Sequence, residues 1–335
     1  MSSSRLLAAV ALAATAAAWS ASPAAAQTSL GGQRVGTSSG TFLKIAPDAR
    51  GAALGDAYVA IVEGAAAALR NPAGLAAIGG NELLLSHIEW PADVDYDVAA
   101  YARALPSLDL IVGFHFGVLR TTLDETSEAR PQGTGRQFSF SDWVGGVSVA
   151  RRFTDKLWIG FTGKFVREEM GTEVGGPVAQ SFLFDAGTVY HFGWANSRMA
   201  VALLNFGPEL TPSGQYDSHI EGRGLTDYQS ASPPTTYRLG VKFEPWHSES
   251  AVLVTSFEMN HLADNEETAR AGGELQLFER LALRAGYDFN ADAMKFSTGL
   301  GVNTPLLGGL GAADYAYSDA GYLGSVHRLT LTLEF

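Results

Sequence analysis

Leu108–Arg120 reads LDLIVGFHFGVLR, in which Leu110, Val112, Phe114, Phe116 and Val118 share one parity while Asp109, Gly113, His115 and Gly117 share the other. A period of two places alternate residues on opposite faces of a strand. One face here is greasy and the other is small or polar, over the roughly ten residues that a tilted strand needs to cross an outer membrane.

The same pattern recurs on both sides of this stretch. FSFSDWVGGVSVARR (138–152) follows it, and then LWIGFTGKFVRE (157–168), where Leu157, Ile159, Phe161 and Phe165 oppose Thr162, Lys164 and Glu168. In SFLFDAGTVYHF (181–192), Phe182, Phe184, Tyr190 and Phe192 oppose Asp185 and His191. Similar segments stand at 198–206, 235–245, 251–261, 268–278, 281–290, 294–303, 310–318 and 325–335, with two weaker ones at 82–90 and 94–104, which makes fourteen. The connections alternate in length. LPS, TDK, GWANS and FER are short, whereas TTLDETSEARPQGTGRQ, GTEVGGPVA and the segment 207–234 are long. Short turns at one end and long loops at the other mark an outer-membrane barrel, and a soluble sandwich gives no reason for such alternation. The fold expected is all-β, a 14-stranded antiparallel transmembrane barrel over residues 81–335. An even strand count would put both chain ends in the periplasm.

The final segment, SVHRLTLTLEF, sets Leu329, Leu331, Leu333 and Phe335 on one face and Arg328, Thr330, Thr332 and Glu334 on the other. In a closed barrel that apolar face meets lipid. A last strand of this kind ending on Phe also resembles the signal read by the barrel assembly machinery. At the other end, Arg5 precedes LLAAVALAATAAA and a small-residue site at Ala24–Ala26, the layout of a secretory signal peptide over residues 1–26.

Composition narrows the partners. A net charge of −12 argues against nucleic acid. The absence of cysteine rules out disulfides, thiolate zinc sites and a lipoprotein anchor. Beyond the signal no apolar run reaches 18 residues, so transmembrane helices are not expected.

Residues 27–80 do not read as strands. They are rich in Ala and Gly, broken by Pro47 and Pro72, and suit one helix near 56–69 followed by a short helical turn over 73–78. A compact small-residue segment fits the lumen of a fourteen-strand barrel as a plug. By parity Lys164, Glu168, Asp185, Arg238, Lys242, Glu244, Arg270, Glu274, Arg284, Asp288 and Lys295 face that lumen, and their mixed signs call for salt-bridged walls. A uniformly greasy tunnel would not be lined this way, although a local apolar pocket near the plug is compatible with it.

FLKIAPDARGAALGDAYVA (42–60) followed by RNPAGLA (70–76) resembles the N-terminal signature of the PorV/PorQ branch of the FadL-like outer-membrane barrels. The resemblance implies fourteen strands with an N-terminal hatch. It carries Asn71, Pro72, Ala73 and Gly74 over as the hatch motif, with Gly55, Asp56, Ala57 and Tyr58 in the start of the preceding helix. Relatives commonly show an Asp pair and an aromatic residue before the motif, where this chain has Glu63 with Gly64 and Leu69 with Arg70. Independently of any family, Asn71 suits a helix cap and Pro72 a first helical position.

The resemblance implies one of two roles. The first is protein binding, with secretion-system components or cargo as partners, as PorV-type members have in type IX secretion. The second is uptake of a hydrophobic small molecule or fatty acid. Gly113, Gly117, Gly145 and Gly146 are the expected seam between hatch and wall, and with it a lateral gate, because glycine inside a strand often marks close backbone approach. Chemistry of the catalytic kind is not expected. None of the seven histidines stands in HExxH, GVSVA lacks the second glycine of a nucleophile elbow, and no phosphate loop or cofactor motif occurs. The residue types available for a hydrolytic group are His115 or His191 with Asp109, Asp142 or Asp185 and Ser148.

Overall fold

Fourteen antiparallel strands close into a barrel in the computed structural model, which describes residues 35–217, 224–291, 293–306 and 309–335. The signal-peptide segment expected at 1–26 lies outside the described residues. In chain order the strands are β1 (Asn81–Trp90), β2 (Val94–Leu105), β3 (Leu110–Asp124), β4 (Gln137–Arg152), β5 (Leu157–Met170), β6 (Val178–His191) and β7 (Arg198–Phe206). A two-stranded ribbon of β8 (Gln215–Asp217) and β9 (Leu225–Asp227) follows in the long connection. The wall continues with β10 (Thr236–His247), β11 (Ala251–Leu262), β12 (Thr268–Leu277), β13 (Leu281–Asp288), β14 (Phe296–Leu306), β15 (Gly309–Asp319) and β16 (Ser325–Glu334). Each barrel strand pairs with its neighbours in sequence, β7 with β10, and β16 with β1.

Closure leaves no free edge, which is the condition for strands to span lipid. In the closing register Leu85 stands opposite Leu331 and Leu83 opposite Leu333. Leu329, Leu331 and Phe335 are exposed outward, as are Phe114, Phe116, Phe161, Phe182 and Phe184. The rings of Phe116, Trp143, Phe165 and Phe182 touch in series across β3–β6, with centroids 6.3, 5.4 and 4.8 Å apart. Such an outward apolar face is stable against acyl chains and would be unstable in water. Among the described residues no helix is long and apolar enough to cross a membrane.

The inward face is polar as expected. Lys164, Glu168, Asp185, Arg238, Lys242, Glu274, Arg284 and Asp288 are all buried. Lys295 differs: it precedes β14 and is exposed, because the wall strand begins one residue later and the alternation does not extend into the loop.

The plug follows a different course from the single helix expected over 56–69. Its one α-helix, α1, is Ala49–Ala53, and short 3-10 turns occupy Thr41–Lys44, Ala65–Leu69 and Pro72–Ala77. Gly55, Asp56, Ala57 and Tyr58 therefore do not begin a helix. Gly55 and Asp56 take left-handed φ values of 63° and 64°, and Gly64 takes 76°, so the backbone reverses where alanine propensity alone would have continued it. The expected turn at 73–78 is present one residue earlier. Residues 38–44 lie at the long-loop end, with Ser38 bridging Ser232 and Lys44 paired to Asp264.

Candidate functional site: the plug and its seat

Asp48 caps α1 by accepting from the Gly51 N–H at 2.7 Å, and Ala49 donates to Thr330 Oγ1 at 2.9 Å. The chain then turns at Gly55, where its backbone lies directly on β13. A Cβ built on Gly286 would be 1.9 Å from the Gly55 nitrogen. Only glycine permits that approach.

The left-handed turn delivers Asp56 to three guanidinium groups. Arg238 Nη1 lies 3.0 Å and Arg270 Nη1 2.6 Å from Asp56 Oδ2, while Arg70 of the plug holds Oδ1. Burial alone would raise the carboxyl of Asp56, but Arg70, then Arg238 and Arg270, outweigh it and hold the group well below the usual carboxylate range. Beside this hub, the Tyr58 and Val59 N–H groups both donate to Glu258 Oε2, at 2.8 and 2.7 Å, and Ser256 donates to the Ala57 carbonyl at 2.6 Å. Burial pushes the Tyr58 hydroxyl well above its ordinary value. Farther along, Arg198 reaches Glu63 and the Ile61 carbonyl, and Arg152 donates to the Ala76 carbonyl at 2.7 Å. Arg198 outweighs burial and lowers the carboxyl of Glu63. The wall thus satisfies the plug's backbone groups from many sides, which a buried irregular segment requires.

The Asn71–Gly74 turn is a helix start, as the residue types suggest. Asn71 Oδ1 accepts from the Ala73 N–H at 3.2 Å, and its amide donates to the Val59 carbonyl at 3.1 Å. The turn seats on β5 and β6. A Cβ on Gly187 would lie 2.0 Å from Asn71 Oδ1, one on Gly160 2.3 Å from the Pro72 carbonyl carbon, and one on Gly74 2.3 Å from the Val62 oxygen.

The four glycines expected at the seam are therefore not one surface. Gly113 does meet the plug, with Leu75 Cδ1 at 3.1 Å and Ala68 Cβ at 3.5 Å from its added Cβ. Gly117 lies under Tyr96 of the wall, and Gly146 lies against His115 and Lys164. Gly145 has outward parity and meets Phe116 at 3.7 Å. The residues that sequence reading missed are Gly160, Gly187 and Gly286; Arg238 and Arg270 were expected in the lumen, but not their convergence with Arg70 on Asp56. Their signal was parity: each glycine falls in an inward row, beside Thr162, Asp185 and Arg284 respectively.

Toward the long loops the first part of the plug enters an apolar cluster beside the polar rows of the wall. Phe42 is buried there with Ile88, Val98, Leu119, Val144 and Val166, and meets Tyr96 edge to face at 6.1 Å. Ser39 and the Gly40 N–H bond Glu168, the latter at 2.7 Å, and hold this segment in place. Three of the residues considered for a hydrolytic group are engaged otherwise: Ser148 bonds Thr162 at 2.7 Å, Asp185 accepts from Lys164 at 2.7 Å, and Asp109 pairs with Arg151 on a turn. Among the described residues no group of three or more His, Asp or Glu is placed to hold a metal.

A closed fourteen-strand barrel with an apolar outer belt and a plug bonded to its inner wall defines a plugged membrane barrel. Among solved structures it is similar to the Ralstonia pickettii toluene transporter TbuX, with 12% identity, 86% of this chain and 97% of that chain covered, and a TM-score of 0.54. It is also similar to the Pseudomonas putida toluene transporter TodX, with 14% identity, coverage of 84% and 96%, and a TM-score of 0.53. A TodX deltaS2S3 mutant, described as a monoaromatic hydrocarbon channel, gives 13% identity, coverage of 85% and 97%, and a TM-score of 0.56. At these identities the likeness is one of fold. No protein-family model and no curated protein matches the chain.

Proposed function

We propose that this protein is a FadL-like outer-membrane channel, not an enzyme, that admits hydrophobic small molecules, with monoaromatic hydrocarbons as the first candidates. The observation that carries the reading is the apolar chamber around Phe42. The lumen is charged around the plug, yet in the long-loop half an apolar cluster encloses the chain's own Phe42 phenyl group. The fold shared with toluene transporters supports the same reading. The hatch motif, Asn71–Gly74, is the movable stop beneath that chamber, and Leu329, Leu331, Leu333 and Phe335 serve assembly into outer-membrane lipid.

The PorV/PorQ resemblance favours a protein-binding role in type IX secretion instead. The solved neighbours support the channel reading over it.

The test is ligand binding in the F42A variant. Removing a buried phenyl group leaves an apolar cavity that takes up a small aromatic molecule. Toluene is expected to bind detergent-solubilised F42A more tightly than the parent and to raise its unfolding temperature. Equal binding by the two proteins, or none by either, would count against the chamber as a ligand site.

A further inference from the structure

At the short-turn end, between the plug and strands β12–β16 and β1, lies a cavity of about 1000 Å³. That is at the upper end of the range for small-molecule sites. The barrel closes across it in a register that puts Glu82 of β1 directly opposite Glu334 of β16. Both carry inward parity and both line the cavity. Like charges directly opposite on neighbouring strands destabilise a ladder, and the cost grows as water is removed. Glu82 is only 8% exposed. Its Oε1 accepts from the Ala65 N–H at 2.7 Å, and among the described residues neither it nor Glu334 has a cation within salt-bridge distance.

The cations that do face the chamber are committed elsewhere. Arg50 and Arg284 converge on Glu274, and Arg284 also holds Asp314. Asp48 lines the same space, is 2% exposed, and leaves Oδ1 without a hydrogen bond, with Arg70 Nε 3.8 Å away. Carboxylates are therefore in excess in a concave chamber, which focuses a negative potential. Tyr58, Leu84 and Ala282 supply apolar wall beside them.

We propose that this vestibule is a binding site for an amphipathic organic cation, with a primary ammonium between Glu82 and Glu334 and an apolar body against Tyr58, Leu84 and Ala282. Two facing carboxylates match an ammonium that donates to both. The site lies at the opposite end of the barrel from the Phe42 chamber and does not depend on transport.

The experiment uses the full chain folded in uncharged detergent, with phenethylammonium as probe and 2-phenylethanol as its neutral counterpart, both read by calorimetry. The ammonium is expected to bind at least about tenfold more tightly than the alcohol, and to weaken at high salt. Glu82→Gln and Glu334→Gln should each reduce ammonium affinity by about tenfold and leave the alcohol unchanged. Because Glu82 also supports the plug backbone, Glu334→Gln, at an exposed position, decides the matter if the first variant fails to fold. Equal affinities for the two probes, or unchanged ammonium binding in Glu334→Gln, would overturn the proposal.

Discussion

Asp56 of the plug and Arg270 of the wall meet at 2.6 Å, Oδ2 to Nη1, and this contact joins two parts of the chain 214 residues apart. Arg238 and Arg70 complete the cage around the same carboxylate. Replacing Asp56 by Asn leaves the buried guanidinium groups of Arg70 and Arg238 and the partly buried one of Arg270 without their shared anion. Breaking a buried ion pair from one side costs about 3–5 kcal/mol. D56N is therefore expected to loosen the plug, raising small-solute permeability and exposing residues 42–80 to protease while the barrel remains heat-modifiable. An unchanged protease pattern would show that the cage does not hold the plug.

The same group sets a pH dependence. Its folded-state carboxyl is held below the ordinary value of about 3.9, so its contribution is fully present above that value and is lost as pH falls through the lowered one. The stability difference between parent and D56N should be constant from about pH 8 to about pH 5 and shrink below about pH 4. Thermal unfolding of both proteins across that range measures it. A difference that shrinks near neutral pH would contradict the assignment.

The seat of the Asn71 turn makes a positional prediction. Gly160→Val and Gly187→Val drive a side chain into plug backbone or the Asn71 amide, with built contacts of 2.3 and 2.0 Å, and should dislodge the plug. Gly113→Val presses on Leu75, where rotamer adjustment absorbs part of the strain, and should have a smaller effect. Gly145→Val points outward and should leave permeability at the parent level. The order of the four permeabilities is the readout, and a large effect at Gly145 would contradict the seat.

On the outer face, Leu331→Arg places a charge in the lipid belt opposite Leu85. Such a substitution costs about 2–4 kcal/mol near the midplane. The yield of folded, surface-exposed barrel should fall, and it should fall also when Phe335 is deleted. Unchanged yield in both variants would remove the assembly role from this strand.

How far the sequence reached is clearest from individual residues. The alternation of Leu110, Val112, Phe114, Phe116 and Val118 against Gly113, His115 and Gly117 was enough to place β3, because lipid outside and a polar lumen inside enforce a strict period of two. Nothing comparable constrains the plug. Its alanines suggested a continuous helix, but the backbone at Gly55, Asp56 and Gly64 follows tertiary demands, namely contact with Gly286 and delivery of Asp56 to three arginines. Salt-bridged walls were legible from charge parity. Which carboxylate met which guanidinium was not, since Asp56 and Arg270 pair across 214 residues of sequence. Gly160 and Gly187 escaped notice because glycine recurs in most strands, and register alone decides which ones face the plug.

The central claim is transport of hydrophobic small molecules through the plugged lumen. Its most direct test is uptake of radiolabelled toluene by cells carrying the protein in their outer membrane, beside cells without it and beside a hydrophilic sugar of similar size. The channel reading predicts faster toluene uptake only in cells with the protein, and no gain for the sugar. Toluene uptake equal in the two cell types, or an equal gain for the sugar, would contradict it.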